Sequence, residues 1–156
     1  FVKRYVEIRD KYHIPPQLLE IEFTESIVFD NTGFLLAIVK SLKANGFSCS
    51  IDDFGKGYSS LSLLKELPVD VLKIDSYFFL ESNDHSRDLD LVRRIIELVH
   101  KFNIRTVAEG IEVPEQVEYL KKFECDYVQG YVFYRPMPQA KYEALLDEQN
   151  VYKVSS

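Results

Sequence analysis

The stretch FSCSIDDFGKGYSS, residues 47–60, carries an apolar run into two adjacent carboxylates, Asp52 and Asp53, and then at once into Gly55 and Gly57. Phe47 to Asp52 has the make-up of a short buried strand, and the glycines mark the turn that leaves it. Upstream, Leu18 to Thr24 predicts another strand and Thr32 to Asn45 a helix that ends at Gly46. Downstream, Ser60 to Leu67 predicts a short helix stopped by Pro68, and Val69 to Ile74 a third strand. A long amphipathic helix follows over Asp88 to Phe102, with Leu89, Val92, Ile95, Ile96 and Val99 as its apolar stripe. Arg105 to Ala108 is a fourth strand, Pro114 to Phe123 a helix opened by proline, Tyr127 to Val128 a fifth strand and Gln139 to Glu148 a closing helix. The order is βαβαβαβαβα, which implies a parallel α/β sheet with right-handed crossovers, either doubly wound or part of a (βα)8 TIM-like barrel.

The 156 residues are enough for a single domain with a real core, so residues 1–156 are expected to form one domain. Twenty-five acidic against nineteen basic residues give a net charge of -6, which argues against a broad grip on DNA or RNA. A phosphate-bearing ligand would need metal cations. Cys49 and Cys125 stand far apart in apolar surroundings at no metal-ligand spacing, which predicts buried free thiols and a reducing, cytoplasmic setting. No apolar run approaches the roughly 18 residues of a membrane span, and no membrane contact is expected. The opening FVKRYVEIRDKYHIPP has apolar residues at helical spacing and no initiating methionine, which suggests that something upstream was cut away.

Polar residues gather where the predicted strands end: Glu22, Asp52, Asp53, Lys73, Asp75, Glu109 and Gln129. One acid at a strand end is ordinarily a cap or turn residue. Seven polar residues across five consecutive strand ends match the rim on which a barrel assembles its chemistry. The spacing FGKGYSS is not GxGxxG, so a dinucleotide-binding fold is disfavoured.

Five segments carry a family resemblance. IEFTES resembles the E-[LI]-T-E segment of EAL domains, the cyclic di-GMP phosphodiesterases, and DDFGKGYSSL their DDFGTGYSSL loop. VDVLKID is similar to their LKID strand, VAEGIE to AEGVE, and VQGYVFYRPMP to the closing QGY segment. The five occur in the family's order between Leu18 and Pro138. The resemblance implies a modified (βα)8 barrel that linearises cyclic di-GMP to pGpG with Mg2+ or Mn2+. It implies that Glu22 and Asp52 bind one metal, that Asp52 bridges to a second held by Asp53 and Glu109, and that Lys73 sits beside the attacking water. Gln129 would lie at the floor of the site. Glu25 would hold the loop that contains Gly55, Gly57 and Ser59, and Glu112 and Asp75 would support the ligands from behind.

The chemistry of the residue types agrees. Two carboxylates side by side in a partly buried rim repel unless cations neutralise them, and hard oxygen ligands suit Mg2+ or Mn2+. Two such ions activate water and stabilise the leaving oxygen of a phosphodiester displacement. Lys73, between Leu72 and Ile74, would oppose at least four acids on neighbouring strands, a site role rather than a lysine reaching for solvent. Gly55 and Gly57 would let the loop bend and reposition Asp53. Lys56 stands where the resembled loop has threonine; a solvated side chain is the simpler reading. His13, His85 and His100 share no metal spacing, and most of Tyr77, Phe78, Phe79, Tyr131, Phe133 and Tyr134 are expected in the core.

The family's Glu-x-Leu and asparagine strands have no counterpart here, so the chain is expected to be a C-terminal portion of the domain, about the last five βα units preceded by one helix, and inactive alone. A partial barrel leaves sheet edges and an apolar flank to be covered, which predicts a homo-oligomer or association with the missing part of the barrel. Two other functions compete: a non-catalytic module that binds cyclic di-GMP or a partner protein, and a barrel lyase or enolase-like enzyme with one Mg2+, which shares the acidic rim but not the five motifs.

Overall fold

The computed structural model describes residues 1–30, 32–56, 61–79 and 85–147. Helix α1 (Val2–Lys11) leads through a 3-10 turn (Pro16–Leu18) into strand β1 (Glu20–Thr24), helices α2 (Glu25–Asp30) and α3 (Thr32–Ala44), strand β2 (Ser48–Phe54) and helix α4 (Leu61–Glu66). Strand β3 (Val71–Ile74), a second 3-10 turn (Ser76–Phe79), helix α5 (His85–His100), strand β4 (Arg105–Ala108), helix α6 (Pro114–Lys122), strand β5 (Tyr127–Val128) and helix α7 (Gln139–Asp147) follow.

The five strands pair in parallel in the sequential order β1-β2-β3-β4-β5. A doubly wound sheet reverses its strand order partway, so sequential order decides for a barrel-type arrangement. With right-handed crossovers the helices then cover one face and leave the other concave face for polar side chains. Alternation along β3 divides its residues accordingly. Leu72 and Ile74 are fully buried in the core with Phe47, Ile51, Phe54, Val92 and Ile96, while Lys73 points the other way. Helix α5 presents Val92, Ile95, Ile96 and Val99 to that core. Its outer face carries the i,i+4 pairs Arg94–Asp90 at 2.8 Å and Arg93–Glu97 at 2.9 Å.

Two acids tie the strands together at their N-terminal ends. Asp70 accepts the Cys49 N–H at 2.9 Å and pairs with Lys43. Asp126 accepts the Thr106 N–H at 2.7 Å, its hydroxyl at 3.0 Å and a ring nitrogen contact from His100 at 2.9 Å. Burial pushes Asp126 up, but the hydrogen bonds from Thr106 and His100 outweigh it and hold the carboxyl below its ordinary range. Arg9 of α1 donates to the Asn45 carbonyl at 2.6 Å and lies over the Phe47 ring, joining the first helix to the rest.

Several expected boundaries shift. Leu18 lies in a 3-10 turn and β1 starts at Glu20; β2 starts at Ser48 and reaches Phe54; β3 starts at Val71 because Val69 and Asp70 form its approach. Helix α5 begins three residues before Asp88, at His85, and α2 was not expected. Ser60 and Glu148 lie outside the described residues. Of the six aromatics expected mainly in the core, only Phe78 and Phe79 are buried, since Tyr77, Tyr131, Phe133 and Tyr134 stand on the exposed turn and closing segment. Cys49 is buried and Cys125 partly so, both as free thiols, and burial pushes the Cys49 thiol up to about 11. Beside β1, Phe1, Tyr5, Ile21, Phe23, Ile27 and Phe34 line an apolar groove of about 630 Å³, with Phe34 70% exposed. Among the described residues no helix is long and apolar enough to cross a membrane.

Candidate active site

Four successive strands each contribute one side chain to a single cluster on the concave face. Lys73 of β3 places its Nζ 2.8 Å from Glu22 Oε1 of β1, 3.3 Å from Asp52 Oδ1 of β2 and 2.9 Å from Oε1 of Glu109, which directly follows β4. The register explains the convergence: Phe23 pairs with Ile51, Ile51 with Leu72, and Leu72 with Thr106, so the concave-facing residues of adjacent strands fall close together. Glu109 is held by its own N–H donating to the Ile74 carbonyl at 2.9 Å. The lysine side chain is only 9% exposed, against 16% for Glu109, 23% for Asp52 and 46% for Glu22.

Burial alone would lower the Lys73 ammonium. Its hydrogen bonds to Glu22 and Glu109 and the nearby negative charges more than offset that, and hold it above its ordinary value. Glu109 moves up as well, although it faces a lysine: burial and the neighbouring Asp52 outweigh the ammonium. Three carboxylates against one ammonium leave two negative charges uncompensated. That is the charge of one divalent cation, and the donors are all hard oxygens. The residues therefore fit a divalent metal in charge and donor type. Among the described residues no three acidic, histidine or cysteine side chains are gathered closely enough to cage an ion without rearrangement, since Lys73 Nζ lies where these oxygens converge.

A bulge makes the aspartate doublet possible. Ile51 pairs with Leu72 and Phe54 with Ile74, so β2 spends one more residue than β3 over this interval. Asp53 takes up the extra residue with φ +58, a left-handed conformation that aspartate tolerates better than most, and its N–H donates to Asp52 Oδ1 at 2.9 Å. The Asp53 carboxylate does not join the Lys73 cluster. It meets Lys56 Nζ at 2.5 Å, and the same ammonium reaches Asp75 Oδ2 at 2.8 Å.

Glu25, 5% exposed, accepts the Gly55 N–H at 3.1 Å at the entrance to the loop. Gly55 has φ +105, and a Cβ there would lie 2.0 Å from the Phe78 ring, so turn geometry and close approach both demand glycine. Gln129 and Glu112 are not in the Lys73 cluster. They line a hollow of about 670 Å³ with Ser76, Gln116, Gly130 and Tyr131. Gly57 and Ser59 lie outside the described residues. The pairing of Lys56 with two aspartates was missed in the sequence, where a lysine three residues from Asp53 across a glycine was the available signal. Lys73 meets three acids rather than four, because Asp53 is engaged by Lys56.

The model of the EAL domain matches residues 1–136 of the chain. Over 128 residues, 82% of the chain, it is 41% identical to the cyclic di-GMP phosphodiesterase NbdA of Pseudomonas aeruginosa. Its fold superposes on the crystal structure of the EAL domain of Mycobacterium smegmatis DcpA with a TM-score of 0.87 and 35% identity over 94% of this chain. It superposes on BlrP1 of Klebsiella pneumoniae, solved as a manganese and cyclic di-GMP complex, with a TM-score of 0.79 and 29% identity over 86% of this chain. It spans 16% of the length of NbdA, 66% of the DcpA chain and 34% of the BlrP1 chain. The match over most of its length, on the fold and motifs described above, makes this chain a member of the EAL domain family.

Proposed function

We propose that the chain contributes the Lys73 cluster to a site that hydrolyses cyclic di-GMP to pGpG. The observation that carries this reading is the convergence of Glu22, Asp52 and Glu109, from three strands, on the buried ammonium of a fourth. In the reaction water adds to phosphorus and the ester bond to a ribose 3′ oxygen breaks, with the proton from water passing to the departing alkoxide. Glu22 and Asp52 would hold one Mg2+ or Mn2+, and Asp52, Asp53 and Glu109 a second. When bound, the ions neutralise the phosphodiester and acidify water. Lys73 orients the three carboxylates and offers an N–H to a phosphate or water oxygen. Glu109, tied to Lys73 at 2.9 Å, would turn its carboxylate to the ion. Gln129, Glu112 and Asp75 support the rim, and the loop entered at Gly55 positions Asp53.

The sheet is open at β1 and β5 among the described residues, and Glu22 on the edge strand keeps 46% of its side chain in solvent. We assign the isolated chain ligand binding with little or no hydrolysis until that flank and the apolar groove beside it are covered, by self-association or by further barrel strands. In calorimetry with Mn2+ present, the chain takes up cyclic di-GMP and Asp52→Asn abolishes the heat. Chromatography for pGpG, with Glu109→Gln alongside, tests hydrolysis. Binding without pGpG supports a binding module completed by other strands; pGpG lost in Glu109→Gln shows that the chain, alone or self-associated, assembles a working site. Folded protein that takes up no cyclic di-GMP overturns the proposal.

A further inference from the structure

Among the described residues two lysines serve the acidic rim, and they differ in how they are held. Lys73 is 9% exposed among three carboxylates, whereas Lys56 is 55% exposed and, among the described residues, joins Asp53 and Asp75. The Asp75 side chain, 6% exposed, also accepts the Tyr77 N–H at 2.8 Å, so it is a fixed anchor at the end of β3. Asp53 is 37% exposed and sits on the left-handed residue of the bulge. Between Asp53 and Lys56 the chain turns back, with the Lys56 N–H donating to the Asp53 carbonyl at 3.2 Å and the Gly55 N–H fixed by Glu25. The turn brings the ammonium to the Asp53 carboxylate and leaves a flexible four-carbon stem free to swing into solvent.

We propose that Lys56 is a tethered cation that holds Asp53 against Asp75 and competes with a divalent metal ion for the Asp53 carboxylate, thereby setting the metal demand of the site. The inference rests on the reading of Asp53 as a metal ligand. A carboxylate oxygen at 2.5 Å from an ammonium has that lone pair engaged, so an incoming ion must displace Lys56 before Asp53 can serve it. Asp75 is the residue that makes the displacement costly. Without it, Lys56 is left with one exposed ion pair, which contributes little. The rim thus carries a built-in threshold: at low metal the lysine occupies Asp53, and at higher metal the ion replaces it.

The test is Mn2+ alone, titrated into the chain with free ion followed by electron paramagnetic resonance, for wild type, Lys56→Thr and Asp75→Asn. Lys56→Thr tightens the weaker Mn2+ site about tenfold, the ratio expected for one charge-assisted hydrogen bond no longer to be broken. Asp75→Asn carries the discriminating sign. Removing a negative charge near a cation site weakens binding if only the local field matters, whereas release of the Lys56 anchor tightens it. An Mn2+ affinity unchanged in Lys56→Thr, or weakened in Asp75→Asn, overturns the inference and leaves the metal reading standing. Folded protein that takes up no Mn2+ in any of the three forms overturns both.

Discussion

Replacing Lys73 with methionine, which keeps an unbranched apolar stem, leaves Glu22, Asp52 and Glu109 facing one another without the ammonium that joins them. Deleting one partner of a fully buried ion pair costs about 3–5 kcal/mol. Here Glu22 is 46% exposed, and water relieves part of the repulsion, so a loss of about 2–3 kcal/mol at neutral pH is expected with divalent ions chelated. The loss has a definite pH dependence. Glu109 is already held above its ordinary value, chiefly by burial, and Lys73 is the group that restrains that rise. An acid raised in the folded state contributes stability below its unfolded pKa and loses it as pH rises through the folded one. Without Lys73 the folded variant retains more protons than its unfolded chain above about pH 4.3, so its stability falls with rising pH more steeply than that of the wild type. Lys73 itself is also raised, and its contribution is lost only above its unfolded value, far on the alkaline side, so it adds no slope near neutrality. Urea unfolding followed by far-ultraviolet circular dichroism, from about pH 4.5 to pH 7.5, is the assay. The deficit should be small at the acid end and open toward neutrality. A deficit below about 0.5 kcal/mol at neutral pH, the ordinary range of surface substitutions, or one that grows toward acid refutes the account of the cluster.

Two further substitutions probe the frame of the fold. A Cβ on Gly130 would lie 2.0 Å from the Ile111 carbonyl oxygen and 2.4 Å from its nitrogen, so Gly130→Ala must move backbone and should cost about 3 kcal/mol; an unchanged melting temperature contradicts the packing described here. Asp126→Ala leaves the buried Thr106 N–H without its acceptor, a loss of about 1–3 kcal/mol at neutral pH. Because Asp126 is held low in the folded state, its contribution is present above its unfolded pKa and disappears as pH falls through the folded one. The urea midpoints of wild type and variant should therefore converge in acid, and parallel midpoints argue against the role given to the carboxylate.

The parallel sheet was legible in the sequence because each strand's apolar run is short and is followed by a helix of clear 3.6-residue period, as in Val92, Ile96 and Val99. The gathering of Glu22, Asp52, Lys73 and Glu109 on one rim was legible because each falls at the same end of a different strand. Helix α2 was not: Glu25–Asp30 follows β1 without a turn residue, and its Ile27-Val28-Phe29 core has strand propensity overridden by context. Exposure of Tyr131, Phe133 and Tyr134 escaped as well, since composition cannot show that the closing segment runs over the surface. The separation of Asp53 from Asp52 depends on a bulge, which is a relation between two strands and leaves no mark in either alone.

That bulge has a consequence for how this part of the chain can change. Along a regular strand Asp52 and Phe54 would share a face, yet Phe54 is 4% exposed in the core opposite Ile74 while Asp52 faces the lysine. One additional residue inverts the parity of everything beyond it. Deleting either aspartate would set Ile51, one aspartate and Phe54 against Leu72, Lys73 and Ile74, a regular ladder that keeps the Phe54 ring in the core and loses one carboxylate, whereas exchanging an aspartate for asparagine keeps the bulge. The packing of the Phe54 ring thus does not require the extra residue, which serves the acidic rim by placing a second carboxylate beside the first.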